Sequence, residues 1–182
     1  LDSLHSVVTI ASTTFRGNRS LDGSPEYGGG AVYASLTTLD IHDSTFEANA
    51  TAANGGAVYI DNDSDVATFP ATIRNSIIQG NRALLAGGGV YAIGGTFDLV
   101  QSVVGANQAA TGGGLVLAEN DRQAYRLIQS TIAWNDAASV GGVFVVPSPE
   151  PVVIANTIIA ANTADSGTAN WVGFIEGDPL AA

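Results

Sequence analysis

The stretch Ser44–Ile60 reads STFEANATAANGGAVYI, and Ser102–Ala118 reads SVVGANQAATGGGLVLA. Each sets an Asn behind a short apolar segment, then small residues, then glycines and a second apolar segment. Working outward, the same Asn recurs as Asn18, Asn49, Asn81, Asn107, Asn135 and Asn162, at intervals of 31, 32, 26, 28 and 27 residues. The segments that end in it are STTFRGN, DSTFEAN, NSIIQGN, QSVVGAN, QSTIAWN and NTIIAAN. Glycine pairs follow at Gly29–Gly30, Gly55–Gly56, Gly87–Gly88, Gly113–Gly114 and Gly141–Gly142, each leading into a Val- or Leu-bearing run. Self-similarity at a period of a few tens of residues is the mark of a solenoid.

The offsets carry the same message. Ten residues separate Asn49 from Tyr59, Asn81 from Tyr91, Asn107 from Leu117 and Asn135 from Val145. The first copy is longer, 15 residues from Asn18 to Tyr33, and its excess falls in RSLDGSPEYG, which reads as a polar loop pushed outward at one corner. Leu39 and Ile41 alternate with Asp40 and His42, the period of two of a half-buried strand. Three short strands fit in one period, in the second unit Ala57–Ile60, Ala71–Asn75 and Ser76–Gln79. Strands this short hold no core alone, so successive periods must stack. The expectation is an all-β fold, a right-handed single-stranded parallel β-helix of about six coils with three short strands each. It forms one domain over residues 1–182, with 167–182 as a degenerate last coil or cap.

Stacking supplies a reason for the repeated residues. Each Asn would lie about 4.8 Å from the next, close enough for its amide to bond along the ladder. Asn also tolerates the left-handed backbone of a sharp corner. The glycine pairs would permit positive φ and close backbone approach where the next strand begins.

Composition agrees and excludes several functions. The chain has 182 residues, 46% of them apolar but only 7% aromatic, with 22 glycines and six prolines, which suits many short strands. A net charge of −11, with no lysine, opposes contact with a phosphate backbone, so nucleic acid is not expected as a partner. Cysteine is absent, which removes disulfides and thiolate metal sites. No apolar run approaches the ~20 residues of a membrane helix. The start at Leu1, without a visible export signal, reads as a processed segment.

FRGN at Phe15–Asn18, FEAN at Phe46–Asn49, and GGAV at Gly29–Val32 and Gly55–Val58 are the residues behind a family resemblance. They resemble the Phe-x-x-Asn and Gly-Gly-Ala-[Ile/Leu/Val] repeats of polymorphic outer membrane proteins. Later copies drift, with Ile or Val for Phe, and the last has GTANWVG in place of the glycine pair. The resemblance implies a right-handed parallel β-helix in an exported bacterial surface protein, extracellular and often adhesive.

Chemistry-bearing clusters are sparse. Asp40, His42 and Asp43 in LDIHDS are the candidate acid/base residues if the solenoid were a polysaccharide lyase or hydrolase. The same pattern describes a solvated strand face. Asp61, Asp63 and Asp65 alternate as oxygen ligands do in calcium loops, and stacking would bring Glu119 and Asp121 to the same corner. A plain acidic turn is the competing reading there, since the glycine and distal Glu of an EF-hand are missing. No cofactor is expected, Ca²⁺ being the one ion to weigh. Partners expected are further coils, through end-to-end stacking into a fibre, and a host-surface protein or glycan.

Overall fold

The computed structural model of the chain describes residues 1–4, 6–21, 23–64, 69–118, 125–146, 151–172, 175–177 and 180–181. Among them every regular element is a β-strand, and every strand pairing is parallel. The strands sort into four ladders, three of seven strands and one of six, in which each strand pairs with its equivalent one coil away. This is a parallel β-solenoid.

In the second coil the first sheet contributes Val58–Asp61, the second Pro70–Arg74 and the third Ile77–Gln79. These are the three strands expected from the sequence. The fourth sheet adds two-residue strands directly after each Asn, among them Ala50–Thr51, Arg82–Ala83 and Gln108–Ala109. They are too short to show alternation, which is why the sequence alone does not reveal them.

Alternation places the core. In Thr38–His42, Leu39 and Ile41 are buried while Thr38, Asp40 and His42 face outward. One side chain per strand position enters the interior, giving columns such as Leu39, Ala71, Phe97 and Tyr125, or Phe46, Ile78, Val104, Ile132 and Ile159. Phe15 stacks on Phe46 with centroids 4.9 Å apart and planes 4° from parallel. Such a core grows by a slice per coil, so its burial follows from stacking and not from any single unit.

The corners correct one expectation. The stacked Asn residues do not take the left-handed conformation. The residue before each one does: Gly17, Ala48, Gly80, Ala106, Trp134 and Ala161, with φ between +53° and +66°. The physical reason is division of labour, since the Asn must aim its amide inward and its neighbour makes the bend. A second series of left-handed corners, Ser12, Asp43, Asn75, Gln101, Gln129 and Asn156, joins the second sheet to the third. Asn75 and Ser76 therefore form a corner and not strand ends.

The glycine register also differs. Tyr59 pairs with Tyr91, but Tyr91 pairs with Val116, and Val116 with Phe144. Leu117 and Val145 point into the core instead. The coils that start at Asn107 and Asn135 are one residue shorter between Asn and the first sheet, and the coil that starts at Asn162 regains the residue. The change falls at Leu85, whose carbonyl accepts the N–H groups of both Ala110 and Thr111, at 3.0 and 3.1 Å. Gly113 and Gly141 consequently stack over Gly30, Gly56 and Gly88, while Gly114 and Gly142 sit one place further on. The positive-φ place held by Gly29, Gly55 and Gly87 passes to Gly112 in that coil. A Cβ on Gly56 would lie 2.0 Å from the Gly88 carbonyl oxygen, so this column demands glycine for space.

Candidate functional site

Two buried polar ladders run through the stack. In the first, the Oδ1 of each Asn accepts both the backbone N–H and the Nδ2 of the preceding one. For Asn81 onto Asn107 both distances are 2.9 Å, and for Asn135 onto Asn162 they are again 2.9 Å. The remaining Nδ2 hydrogen reaches a third-sheet carbonyl, as from Asn107 to Ile78 O at 2.9 Å. Each interior amide thus uses both donors and both lone pairs, which makes burial of so polar a group tolerable. Asn18 and Asn49 join at 3.0 and 2.9 Å. Past Asn162 the receiving oxygen belongs to Asn170, 3.4 Å from the Asn162 backbone N and 3.2 Å from its Nδ2. Asn170 stands in the Gly114–Gly142 column, so the degenerate GTANWVG segment closes the ladder with an amide from elsewhere.

The second ladder was missed in the sequence. The backbone N–H groups of Thr13, Ser44, Ser76, Ser102 and Ser130 donate to the hydroxyls of Ser44, Ser76, Ser102, Ser130 and Thr157, at 3.1–3.2 Å. Each hydroxyl donates in turn to the carbonyl two residues before it, as Ser76 does to Arg74 O at 2.8 Å. The signal was present: a Ser or Thr lies five residues before every ladder Asn. Both ladders are structural. They set register, and the outer faces carry whatever chemistry exists.

Asp40 and the His42–Asp43 pair, on the second sheet's outer face and the corner that follows it, take different hydrogen-bond partners. Asp40 Oδ2 accepts from Arg74 at 3.2 Å, one rung away. Its Oδ1 is buried without a partner. His42 Nδ1 lies 2.8 Å from the Oδ2 of its own neighbour Asp43, and this contact holds the Asp43 carboxyl below its ordinary range. Asp98 takes Arg126 in the same lateral fashion, with Nε to Oδ1 at 2.7 Å and a second contact between the Arg126 terminal nitrogen and Oδ2. The face is a set of rung-to-rung ion pairs, worth little individually where exposed.

The acidic corner is built around Asn62, which no sequence pattern singled out. It is 1% exposed; its Oδ1 accepts from Thr37 N at 2.9 Å, and its Nδ2 donates to Thr37 O and Phe69 O at 3.1 and 2.9 Å. Asn62 separates Asp61 from Asp63. Asp61 is half-buried, accepts from the Tyr33 hydroxyl and the Asp63 backbone, and its carboxyl is pushed up, chiefly by burial. Asp65, Glu119 and Asp121 lie outside the described residues. Among the described residues no three His, Asp or Glu side chains gather as metal ligands do.

Two outer faces are richer. The first sheet presents Tyr33, Tyr59 and Tyr91 in a row, with ring centroids 5.4 and 5.1 Å apart, and Tyr27 from the long first-coil loop adds an edge contact at 6.0 Å. That loop is tied down by Asn54, whose Nδ2 donates to Pro25 O at 3.0 Å. The fourth sheet presents Arg82, Gln108, Asp136 and Thr163 over a floor of small residues, and the exposed Trp134 stands two residues before Asp136 in the chain.

Comparison with known proteins adds one finding. Residues 12–35 match the model of the Chlamydia polymorphic membrane protein repeat, the segment that holds Phe15-x-x-Asn18 and Gly29-Gly30-Ala31-Val32. The chain carries a repeat of this type, which describes a surface-protein repeat and not an enzyme family. No curated protein and no solved structure matches the chain. No helix among the described residues is long and apolar enough to cross a membrane. Repeat and β-solenoid together fit a module of a bacterial surface protein.

Proposed function

We propose that this chain is a non-catalytic, extracellular structural and adhesive module, a rigid rod that carries recognition surfaces on its outer faces. The observation that carries the reading is the use made of its charged side chains. Asp40 with Arg74, Asp98 with Arg126, and Glu47 with Arg16 (2.6 Å) are spent on cross-rung pairing. Glycoside hydrolysis canonically uses two carboxyl groups flanking one bond, whereas here Asp40 is engaged by Arg74 and Asp43 by His42.

Coil stacking extends the proposal to self-association. In the third and fourth sheets Thr14–Arg16 and Arg19–Ser20 stand at one end of their ladders among the described residues, and the end strand of a sheet can pair with a further rung. Purified chain immobilised on beads should adhere to host-type epithelial cells, and wild type should release no sugar from uronate or neutral polysaccharides. Beads that fail to adhere contradict the adhesive reading, and released reducing sugar contradicts the non-catalytic one. Sedimentation over a wide concentration range tests assembly; a persistent monomer sinks it.

A further inference from the structure

Trp134 is placed where the fold least accommodates it. The left-handed corner before the ladder Asn is filled by Gly17, Ala48, Gly80, Ala106 and Ala161 on the other rungs. Positive φ costs a residue with a Cβ roughly 1–2 kcal/mol, and the small side chains limit crowding. Trp134 takes the same conformation at φ +57°, yet its side chain is not recovered for the core: the residue is 67% exposed. The rungs on either side hold Ala106 and Ala161, so no large side chain stands at this corner on the neighbouring coils. A big aromatic held in strain and left mostly exposed is a group available for contact with something else.

A set of hydrogen-bonding groups begins on the same rung, just past this corner in the chain. Two residues on, Asp136 faces outward from the fourth sheet. Gln108 Nε2 donates to Asp136 Oδ2 at 3.2 Å, Arg82 Nε donates to Gln108 Oε1 at 3.2 Å, and Thr163 Oγ1 donates to Asp136 Oδ1 at 2.6 Å. These four side chains form a row along the rod, one per rung, about 4.8 Å apart. Below them is a shallow groove of about 240 Å³ floored by Ala109, Ala110, Ala137 and Ala138, with Asp165 at its rim.

We propose that Trp134, Asp136 and Gln108 form a subsite for a pyranose ring of a neutral glycan. The axial C–H face of a pyranose stacks on an indole, while its ring hydroxyls bond to a planar amide and a carboxylate; the corner offers both within one rung of each other. The repeat along the row is close to the length of one sugar unit, so a linear chain laid along the rod would meet a fresh polar side chain at each step. Charge selects the class. Asp136 and Asp165 outnumber Arg82 around the groove, and the chain as a whole carries −11, which disfavours uronates and sialylated glycans. The subsite rests on the adhesive reading for its purpose, not for its geometry.

The test is tryptophan fluorescence and calorimetry of the full chain with a panel of neutral oligosaccharides (gluco-, galacto-, manno- and N-acetylglucosamine series), uronate oligomers and phosphatidylcholine vesicles. Trp171→Phe leaves Trp134 as the single indole. Neutral oligosaccharides should shift its emission, and Trp134→Ala should weaken binding at least tenfold. That variant places at the corner the residue already present on two adjacent coils, so it should fold at least as well as wild type. Asp136→Ala should weaken binding several-fold with the emission shift retained. Absence of binding across the neutral panel overturns the proposal, as does equal affinity in Trp134→Ala, or a preference for uronates or vesicles. Cell adhesion of the same variants separates the two claims. Adhesion unchanged in Trp134→Ala removes the subsite's part in adhesion and leaves the adhesive role; sugar binding by a chain that adheres to nothing keeps the subsite and overturns the adhesive role.

Discussion

Replacing Asn107 by Ala cuts the amide ladder at its middle. Asn107 Oδ1 is the acceptor for both the backbone N–H and the Nδ2 of Asn81, each at 2.9 Å, and Asn107 is 0% exposed. Its loss leaves two buried donors without a partner. The Ile78 carbonyl also loses a donor, while Asn135 Oδ1 keeps the Asn107 backbone N–H at 3.0 Å. An orphaned buried donor costs about 1–3 kcal/mol, so the variant should lose about 4 kcal/mol, a large part of the 5–15 kcal/mol typical of a domain. With a urea m-value of roughly 2 kcal/mol/M the midpoint should fall by about 2 M. Asn18→Ala is the internal control. Asn18 is exposed at the first rung, and Asn49 Oδ1 still receives its backbone N–H, so about 1 kcal/mol or less should be lost. Urea unfolding followed by circular dichroism reads both. Equal losses in the two variants, or less than about 1 kcal/mol for Asn107→Ala, would refute the claim that the ladder is a stability element.

Other perturbations should sort by mechanism. Gly56→Ala should prevent or severely impair folding, because its Cβ would meet the Gly88 carbonyl oxygen at 2.0 Å. Gly17→Ala has nothing within 4 Å and should cost only about 1 kcal/mol, the left-handed penalty that Ala48 already bears in the next coil. Ser76→Ala removes the acceptor of the Ser44 N–H and should lower stability by about 1–3 kcal/mol, read as a fall in the urea midpoint. For Asp61 the sign follows from its raised pKa: the folded state holds the proton more tightly, so this group lowers stability as pH rises through the carboxylate range. Asp61→Asn should therefore be more stable than wild type at pH 7, with the gap shrinking toward pH 3; thermal melts across that range would show an opposite trend if the sign were wrong. Calorimetric titration with Ca²⁺ should give no stoichiometric heat, and a saturable one-to-one binding curve would reopen the acidic-corner reading.

What the sequence disclosed was whatever repeats at fixed offset with unusual chemistry. Asn49 and Gly55–Gly56 were legible because few residues satisfy a buried amide ladder or a 2 Å backbone approach. The Ser–Thr ladder was equally regular but went unread, since Ser44, Ser76 and Ser102 look like ordinary corner polars. The one-residue change of register at Leu85 was hidden because Leu117 and Val145, like Val116 and Phe144, are apolar, so either choice preserves the pattern. The left-handed role of Ala48 and Ala161 contradicts simple propensity, and only the stacked corner accounts for it. Asn62 and Asn170 each act once, outside any period, and a reading built on periodicity passes over single-use residues. The same holds for Trp134, whose exposure depends on which way one corner points. The outer faces were the least legible, as their pairing partners stand a coil away, 26 to 34 residues along the chain.

Register is the most direct test, and the absence of native cysteine makes it accessible. Ile77 and Val103 are exposed and paired across adjacent rungs of the third sheet, whereas Thr131 stands a further rung away. Adjacent rungs lie about 4.8 Å apart, inside the roughly 4.4–6.8 Å span of a disulfide, and two rungs exceed it. Oxidation of the double variant Ile77→Cys, Val103→Cys should give an intramolecular disulfide in near-full yield, and Ile77→Cys with Thr131→Cys should remain reduced. A disulfide in the second pair but not the first would contradict the stacking of one Asn-anchored coil upon the next.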